Sequence, residues 1–354
     1  MIEARLDRLR HFLEMQELQA FLVTKPENIY YLSGFTGGSD ARLVVSMADK
    51  YIVTDGRYLD QAGRECPDWE LARVQGGGLD SLAAICDKYS SLAVESNHVT
   101  YGLFVRLQSA LKPQLSPQEN IIEGLRRQKD AVELEWLRAA ARVGDEVFQR
   151  ICLEIRPGWS EVQVANRIAY YLRELGCSGE AFPTIAVAGE NAALPHGQPG
   201  TRRLQKGDML TMDFGGFYHG YAGDMTRTIA IGAASARLQE VYSRVLEAQQ
   251  KGVASIKAGI RAQALDQLVR DVLARYGLDD YFLHGTGHGL GLEIHETPNL
   301  SRHCEDILEE NMVVTVEPGV YMSGWGGIRI EDTVIIGYGG CEVITASEKG
   351  LLII

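Results

Sequence analysis

Apolar residues recur at helical spacing from the first turns of the chain, with Leu6, Leu9, Phe12, Leu13 and Met15 marking an amphipathic helix over residues 3–18. Short apolar runs at residues 20–23, 43–46 and 51–54 predict strands, the last two joined as a hairpin around Asp49-Lys50. Residues 29–35 run into a Gly/Ser turn at residues 37–40. Helical patterning returns at residues 82–89 and 101–111, on either side of a strand at 92–95. Residues 1–125 are therefore expected to form an α/β domain that ends in a linker strand at residues 121–125. Asp55 and Glu95, at strand ends, read as caps.

The remainder, residues 126–354, has a different rhythm. Asp130 and Glu133 make a capping box for a helix running to about residue 154, which Pro157-Gly158 stops. Ser160 and Gln163 make a second box, for a helix ending at Gly176. An extended stretch at residues 182–188, a loop at 191–200 and a hairpin follow. Leu210 and Met212 alternate with Thr211 and Asp213, so Asp213 lies on the polar face of a half-buried strand. The chain reverses through Gly215, Gly216, Gly220 and Gly223 to Asp224 and a second apolar strand at residues 228–231. For this stretch alone, two aspartates in turns and two carboxylates set side by side are both open readings.

After Gly232 the order recurs. Helices are expected at residues 237–256 and 262–275, then a Gly/His-rich segment and a hairpin carrying Thr315-Val316-Glu317 on one strand and Arg329-Ile330-Glu331 on the other. Thr211-Met212-Asp213 matches Thr315-Val316-Glu317 position for position, and Asp224 and Glu331 each precede an apolar strand. Each half reads helix, helix, hairpin with two carboxylates, an internal repeat of the kind that packs about a pseudo-two-fold axis. That packing would gather Asp213, Asp224, Glu317 and Glu331. Four carboxylates in one pocket cannot all stay ionised without cations, which is the argument for metal.

Composition narrows the class. Across 354 residues, 45% hydrophobic and 23% charged content are those of an ordinary globular protein, and a net charge of −12 argues against nucleic-acid binding. The N-terminus has no signal-peptide core, and no apolar run reaches membrane-span length. The six cysteines are scattered with no Cys-x-x-Cys spacing, as expected of reduced thiols in a cytoplasmic protein.

The densest histidine segment, His284-Gly285-Thr286-Gly287-His288-Gly289-Leu290-Gly291-Leu292-Glu293-Ile294-His295, interleaves imidazoles with glycines that let backbone approach closely. Four carboxylates and an imidazole form an oxygen-dominated donor set, suited to Mn²⁺, Fe²⁺, Co²⁺ or Zn²⁺ in a two-metal site. The motifs Met212-Asp213-Phe214-Gly215, Gly223-Asp224-Met225-Thr226-Arg227-Thr228, His284 to His288, Val316-Glu317-Pro318-Gly319 and Arg329-Ile330-Glu331-Asp332-Thr333 together resemble those of the pita-bread metallopeptidases. That family includes prolidase, aminopeptidase P and methionine aminopeptidase. The preceding α/β domain resembles that of the prolidase and aminopeptidase P branch.

The resemblance implies an α/β N-terminal domain followed by an α+β pita-bread catalytic domain. It implies Asp213, Asp224, His288, Glu317 and Glu331 as ligands of two divalent metal ions, manganese first, with Asp224 and Glu331 bridging. His196 and His295 would contact substrate and the developing oxyanion, with Glu317 moving the proton. His284, Tyr321 and Arg329 match further active-site positions. The implied reaction is release of an N-terminal residue from a peptide with proline at the second position, by a homodimeric enzyme. A methionine-type aminopeptidase, a metal-free creatinase-like hydrolase and a non-catalytic peptide-binding module are the alternatives. The intact ligand set and His196 weigh against the last two, and the N-terminal domain against the first. One departure stands out: many prolidases place an Arg where this chain has Asn299. His11, His98, His219 and His303 match no motif and read as surface residues.

Overall fold

In the computed structural model, which describes residues 1–74 and 79–354, the chain separates into two units, Met1–Arg126 and Arg127–Ile354. The first is built on a six-stranded mixed sheet of β1 (Ala20–Val23), β2 (Ala41–Ser46), β3 (Lys50–Thr54), β4 (Glu70–Arg73), β5 (Ser91–Glu95) and β6 (Gln114–Gln118). The strand order is β4-β3-β2-β1-β5-β6. The anticipated hairpin is the antiparallel β2–β3 pair, with Leu43 opposite Ile52. Helix α1 (Ile2–Met15) buries Leu6, Leu9 and Leu13, while Met15 is exposed. The Glu95 carboxylate accepts the backbone N–H groups of Thr24 and Lys25 at 2.6 and 2.9 Å, capping the entry to α2 (Pro26–Ser33). Among the described residues the other helices of this unit are α3 (Leu59–Glu65), α4 (Asp80–Cys86), α5 (Tyr101–Ala110) and α6 (Ile121–Arg126).

Helix α6 corrects the linker strand expected at residues 121–125. Asn120, at φ 55°, reverses the chain out of β6, and the following turn buries Ile122 and Arg126 at i, i+4. The adjacent isoleucines look like strand locally, but the face they present is helical.

In the second unit both capping boxes form as read. Asp130 accepts from Val132 and Glu133 at the start of α7 (Ala131–Glu154), and Ser160 accepts from Gln163 at the start of α8 (Glu161–Glu174). These helices pack Val147, Ile151, Val164, Ile168 and Leu172 into one core with Leu210, Met212, Phe214 and Ile229. Those last residues belong to a three-stranded sheet in which β8 (Met209–Phe214) lies between β7 (Ile185–Ala188) and β11 (Met225–Ala230). A two-residue pair, β9 (Phe217–Tyr218) with β10 (Tyr221–Ala222), caps the β8–β11 hairpin.

The second half supplies α9 (Ala236–Ser255) and α10 (Ala262–Ala274). Its sheet runs β13-β12-β14-β17-β18, from β12 (Gly287–Gly289), β13 (Glu296–Leu300), β14 (Val313–Val316), β17 (Asp332–Ile336) and β18 (Cys341–Val343). The hairpin expected between residues 315–317 and 329–331 is divided into two ladders. β14 pairs with β17, while β15 (Gly319–Met322) pairs with β16 (Gly326–Arg329). Pro318 lies between them with no N–H to donate, so Glu317 and Glu331 fall at the break.

The two halves also differ in register. Val316 is opposite Asp332, so Glu317 and Glu331 face each other one step further along. In the first half Asp213 is opposite Thr226, and Asp224 lies two residues earlier, beside Gly215. The position-for-position match therefore holds for one strand of each hairpin and not for its partner.

Gly215 makes the first hairpin possible. A Cβ there would run into the carbonyl of Gly223 and reach to 3.0 Å from the Asp224 nitrogen. Gly215→Ala is therefore expected to lower the melting temperature, at an overpacking cost of about 1–3 kcal/mol, and to weaken metal uptake. Calorimetric melting and titration of the variant with Mn²⁺ measure the two effects.

Candidate metal centre

Asp213 extends from the face of β8 opposite to Met212 and Phe214, which are fully buried in the core. Its Oδ2 receives Nη2 of Arg329 at 2.6 Å, while its Oδ1 is buried with no hydrogen-bond partner. Glu331 accepts Oγ1–H of Thr226 at 2.7 Å, and its own N–H is bonded to the Thr226 carbonyl at 3.2 Å. The two hairpins meet at that contact.

The Gly/His-rich segment forms β12, pressed so close to β14 that a Cβ on Gly287 would strike the Thr315 carbonyl. This approach sets His288 against Glu317. The His288 N–H bonds to Thr315 Oγ1 at 3.0 Å, and the Glu317 N–H to the Thr286 carbonyl at 2.8 Å. His288 Nδ1 is 3.0 Å from the Gly289 carbonyl. A carbonyl can only accept, so Nδ1 carries the proton and Nε2 is left bare. That nitrogen lies 3.5 Å from both Asp224 Oδ2 and Glu317 Oε1.

The electrostatics follow from burial. Desolvation, reinforced by Glu331, Asp213 and Glu317, holds the Asp224 carboxyl well above its ordinary range. Burial and then the Glu317 and Asp213 charges do the same to Glu331. Burial, with Asp213 adding to it, pushes Glu317 up to about 8 against the opposing pull of Arg329. His288 is drawn down to about 4 by burial, which keeps it neutral and able to donate a lone pair.

These residues fit a cation. Ligand atoms of Asp224, His288 and Glu331 lie within 4.8 Å of one another, and Asp213 adds an orphaned buried oxygen. Such a carboxylate oxygen is costly unless a positive charge meets it.

Around this cluster opens a cavity of about 530 Å³ lined by Asp213, Asp224, His288, Glu317 and Glu331, together with His196, His284, His295 and Arg329. His196 and His295 are exposed at its rim. The His295 ring meets that of His288 edge to face at 4.3 Å. Tyr321 is buried behind the lining: its hydroxyl receives Nη1 of Arg329 at 2.6 Å and lies 2.8 Å from His284 Nε2. His284 Nδ1 faces the Gly285 carbonyl at 2.8 Å, so the proton order is Arg329 to Tyr321 to His284. Burial raises the Tyr321 phenol to about 12 and lowers His284 to about 4, so both links are neutral. Asn299 lines the cavity, and Arg302, three residues on, is exposed outside the lining.

Several supporting groups were not singled out from the sequence. Thr226, inside a motif that was read, joins Arg329 Nε at 3.1 Å to Glu331. Asp266 and Arg270, at i, i+4 on α10, hold the His284 segment: Asp266 accepts the N–H and Oγ1–H of Thr286, and Arg270 donates to the carbonyls of Phe282 and His284. Phe182, Pro183, Ile185 and Ile294 give the cavity an apolar wall. The i, i+4 spacing of Asp266 and Arg270 was legible, but the loop they hold was not.

Known proteins resemble the chain over nearly its whole length. Residues 135–337 match metallopeptidase family M24, and residues 5–128 match the creatinase/prolidase N-terminal domain. The Xaa-Pro dipeptidase of Pyrococcus furiosus is 33% identical, over 99% of this chain and 100% of that protein. The structure of a Xaa-Pro dipeptidase from Bacillus anthracis superimposes with a TM-score of 0.97 at 37% identity, covering 100% of both chains. That of an X-Pro aminopeptidase from Thermotoga maritima gives 0.93 at 34% identity, covering 99% of this chain and 100% of the other. The likeness to these proteins runs over essentially the whole chain, whose second unit carries the pita-bread fold, and the protein is a member of metallopeptidase family M24.

Proposed function

We propose that the chain is a two-metal exopeptidase that releases the N-terminal residue of peptides with proline at the second position. The observation that carries this reading is the convergence of four carboxylates and one bare imidazole nitrogen in a single cavity. Asp213, Asp224, His288, Glu317 and Glu331 would hold the cations. The oxygen-rich donor set favours manganese, with cobalt, zinc or iron also accommodated. Bound there, the cations would polarise the scissile carbonyl and raise the acidity of water near neutral pH.

The protein's own groups supply the rest. Glu317 takes the proton of the attacking water and passes it to the leaving imino nitrogen. His196 and His295, at the rim, donate to the developing oxyanion. Arg329 fixes Asp213, and Tyr321 ties Arg329 to His284.

The division into an N-terminal domain of residues 1–125 and a catalytic domain of residues 126–354 belongs to this proposal, supported by the unit boundary at Arg126. A cytoplasmic homodimer belongs to it as well. Among the described residues no helix is long and apolar enough to cross a membrane. Sedimentation velocity tests the dimer.

Metal-free protein is expected to bind two Mn²⁺ per chain by calorimetric titration, with peptidase activity restored in parallel. Because Glu317 holds its proton up to about 8 in the fold against an ordinary value of 4.5, the metal-free folded chain binds more protons than the unfolded one between those limits. Its stability should fall as pH rises through that window. Added Mn²⁺ should remove the decline, as melting curves across the range would show.

Asp224→Ala and Glu331→Ala should each lose metal and activity together. His196→Ala should keep its metal and lose roughly 10²–10³ in kcat, as for an oxyanion donor. Loss of metal from His196→Ala, read by elemental analysis, would make it a ligand instead.

Asn299 leaves a dipeptide's free carboxylate without a bidentate arginine partner, an interaction of about 1.5–3 kcal/mol. Ala-Pro-Ala is therefore expected to be cleaved at least as efficiently as Ala-Pro, by kcat/KM, and Arg302→Ala to leave the ratio unchanged. A dipeptide preference of about tenfold that disappears in Arg302→Ala would overturn this part of the reading.

A further inference from the structure

We propose that Glu161 is a positioning residue for His196. Resting on the assignment of His196 above, this inference identifies what holds that histidine in place.

Glu161 is the first residue of α8, where a glutamate ordinarily stays solvated and interacts with the helix dipole. Here it is fully buried, at 0% exposure. Its Oε1 accepts the Ala188 N–H at 2.8 Å and Nδ2 of Asn191 at 3.0 Å, and its Oε2 accepts the Gly200 N–H at 3.0 Å. Ala188 is the last residue of β7. The carboxylate therefore joins the two ends of one loop. The stem is closed further by Val162 N–H to the Gly200 carbonyl and Glu161 N–H to the Arg202 carbonyl, both at 3.0 Å.

That loop delivers Pro195, His196, Gly197, Gln198 and Pro199 to the cavity. Its far end is pinned separately, by Arg329 Nη1 on the Pro195 carbonyl at 3.2 Å. His196 makes its approach between these two anchors. Glu161 does not line the cavity, so any effect on the reaction passes through the loop. Charge-assisted bonds from three donors set the width of the stem. Displacing a reacting group by about 1 Å can cost roughly 10²-fold in rate.

Glu161→Gln tests the clamp, because it keeps the shape and turns an amide N–H toward Ala188 or Gly200. The expected variant binds Mn²⁺ with unchanged stoichiometry and affinity, and loses roughly 10- to 100-fold in kcat on Ala-Pro-Ala. Hydrogen exchange should rise in residues 188–200. In a His196→Ala background the same substitution should cost less than about twofold, because the group it positions is gone. Asn191→Ala removes one donor and leaves the carboxylate, and serves as a milder second variant. Its several-fold loss should likewise vanish without His196. His196→Ala measured alone checks the underlying assignment separately. An unchanged kcat in Glu161→Gln, or an equal loss with and without His196, would reduce Glu161 to a support of the fold.

Discussion

Negative charge confined in a low-dielectric pocket is the constraint around which the catalytic unit is built. Burial raises the proton affinities of Asp224, Glu317 and Glu331, and neighbouring carboxylates, Asp213 among them each time, add to it. Left to itself such a cluster relaxes by taking up protons or opening to water. A permanent counter-charge, Arg329, touches it through Asp213, and divalent metal ions, as metallopeptidase family M24 implies, would answer the remaining demand. The hairpin pinch at Gly215, the close strands at Gly287 and the break at Pro318 each help to hold the carboxylates of the cluster together against their mutual repulsion.

Behind the cluster lies a second, fully paired set of charges. Arg227, buried, donates to the carbonyls of Thr226 and Glu331, to Asp332 Oδ1 at 2.9 Å and to the Ser347 carbonyl. Asp332 also receives Gln249 and Lys349, and Asp145 of α7 receives the N–H groups of Ala346 and Ser347. Neighbouring residues thus have opposite fates: Asp332 is paired within the protein, while Glu331 turns into the cavity. Backbone held this firmly keeps the cavity carboxylates from drifting apart under their mutual repulsion.

The histidine-bearing segments share a device. Glu161 ties the His196 loop, Asp266 with Arg270 ties the segment leading from His284 to His288, and Glu296, paired with buried Lys129 at 3.1 Å, lies directly after His295. A buried carboxylate satisfied by backbone N–H groups or by a cation fixes a loop more stiffly than apolar contact does, because it is directional. His196, His284 and His295 are thereby held in place although they stand on irregular backbone, while His288 is fixed by β12 itself.

Helices α7 and α8 were legible in the chain because capping boxes and apolar periodicity act within a few residues. So were the paired hairpin carboxylates and the Gly/His segment, whose spacing is a local property. Helix α6 was misread because two adjacent isoleucines carry no period, and only their packing shows which face is buried. The register offset between the hairpins, with Asp213 opposite Thr226 while Glu317 faces Glu331, depends on a close approach between glycines that no strand pattern encodes. Thr226, Asp266 and Glu161 gain their roles from partners 20 or more residues away, such as Glu331, Thr286 and Gly200. The sequence by itself determined which residue types would meet, since local spacing and charge balance are written along the chain. Tertiary structure decided which oxygen faces the cavity, which faces arginine and which clamps a loop, because burial and long-range pairing exist only once the chain has closed on itself.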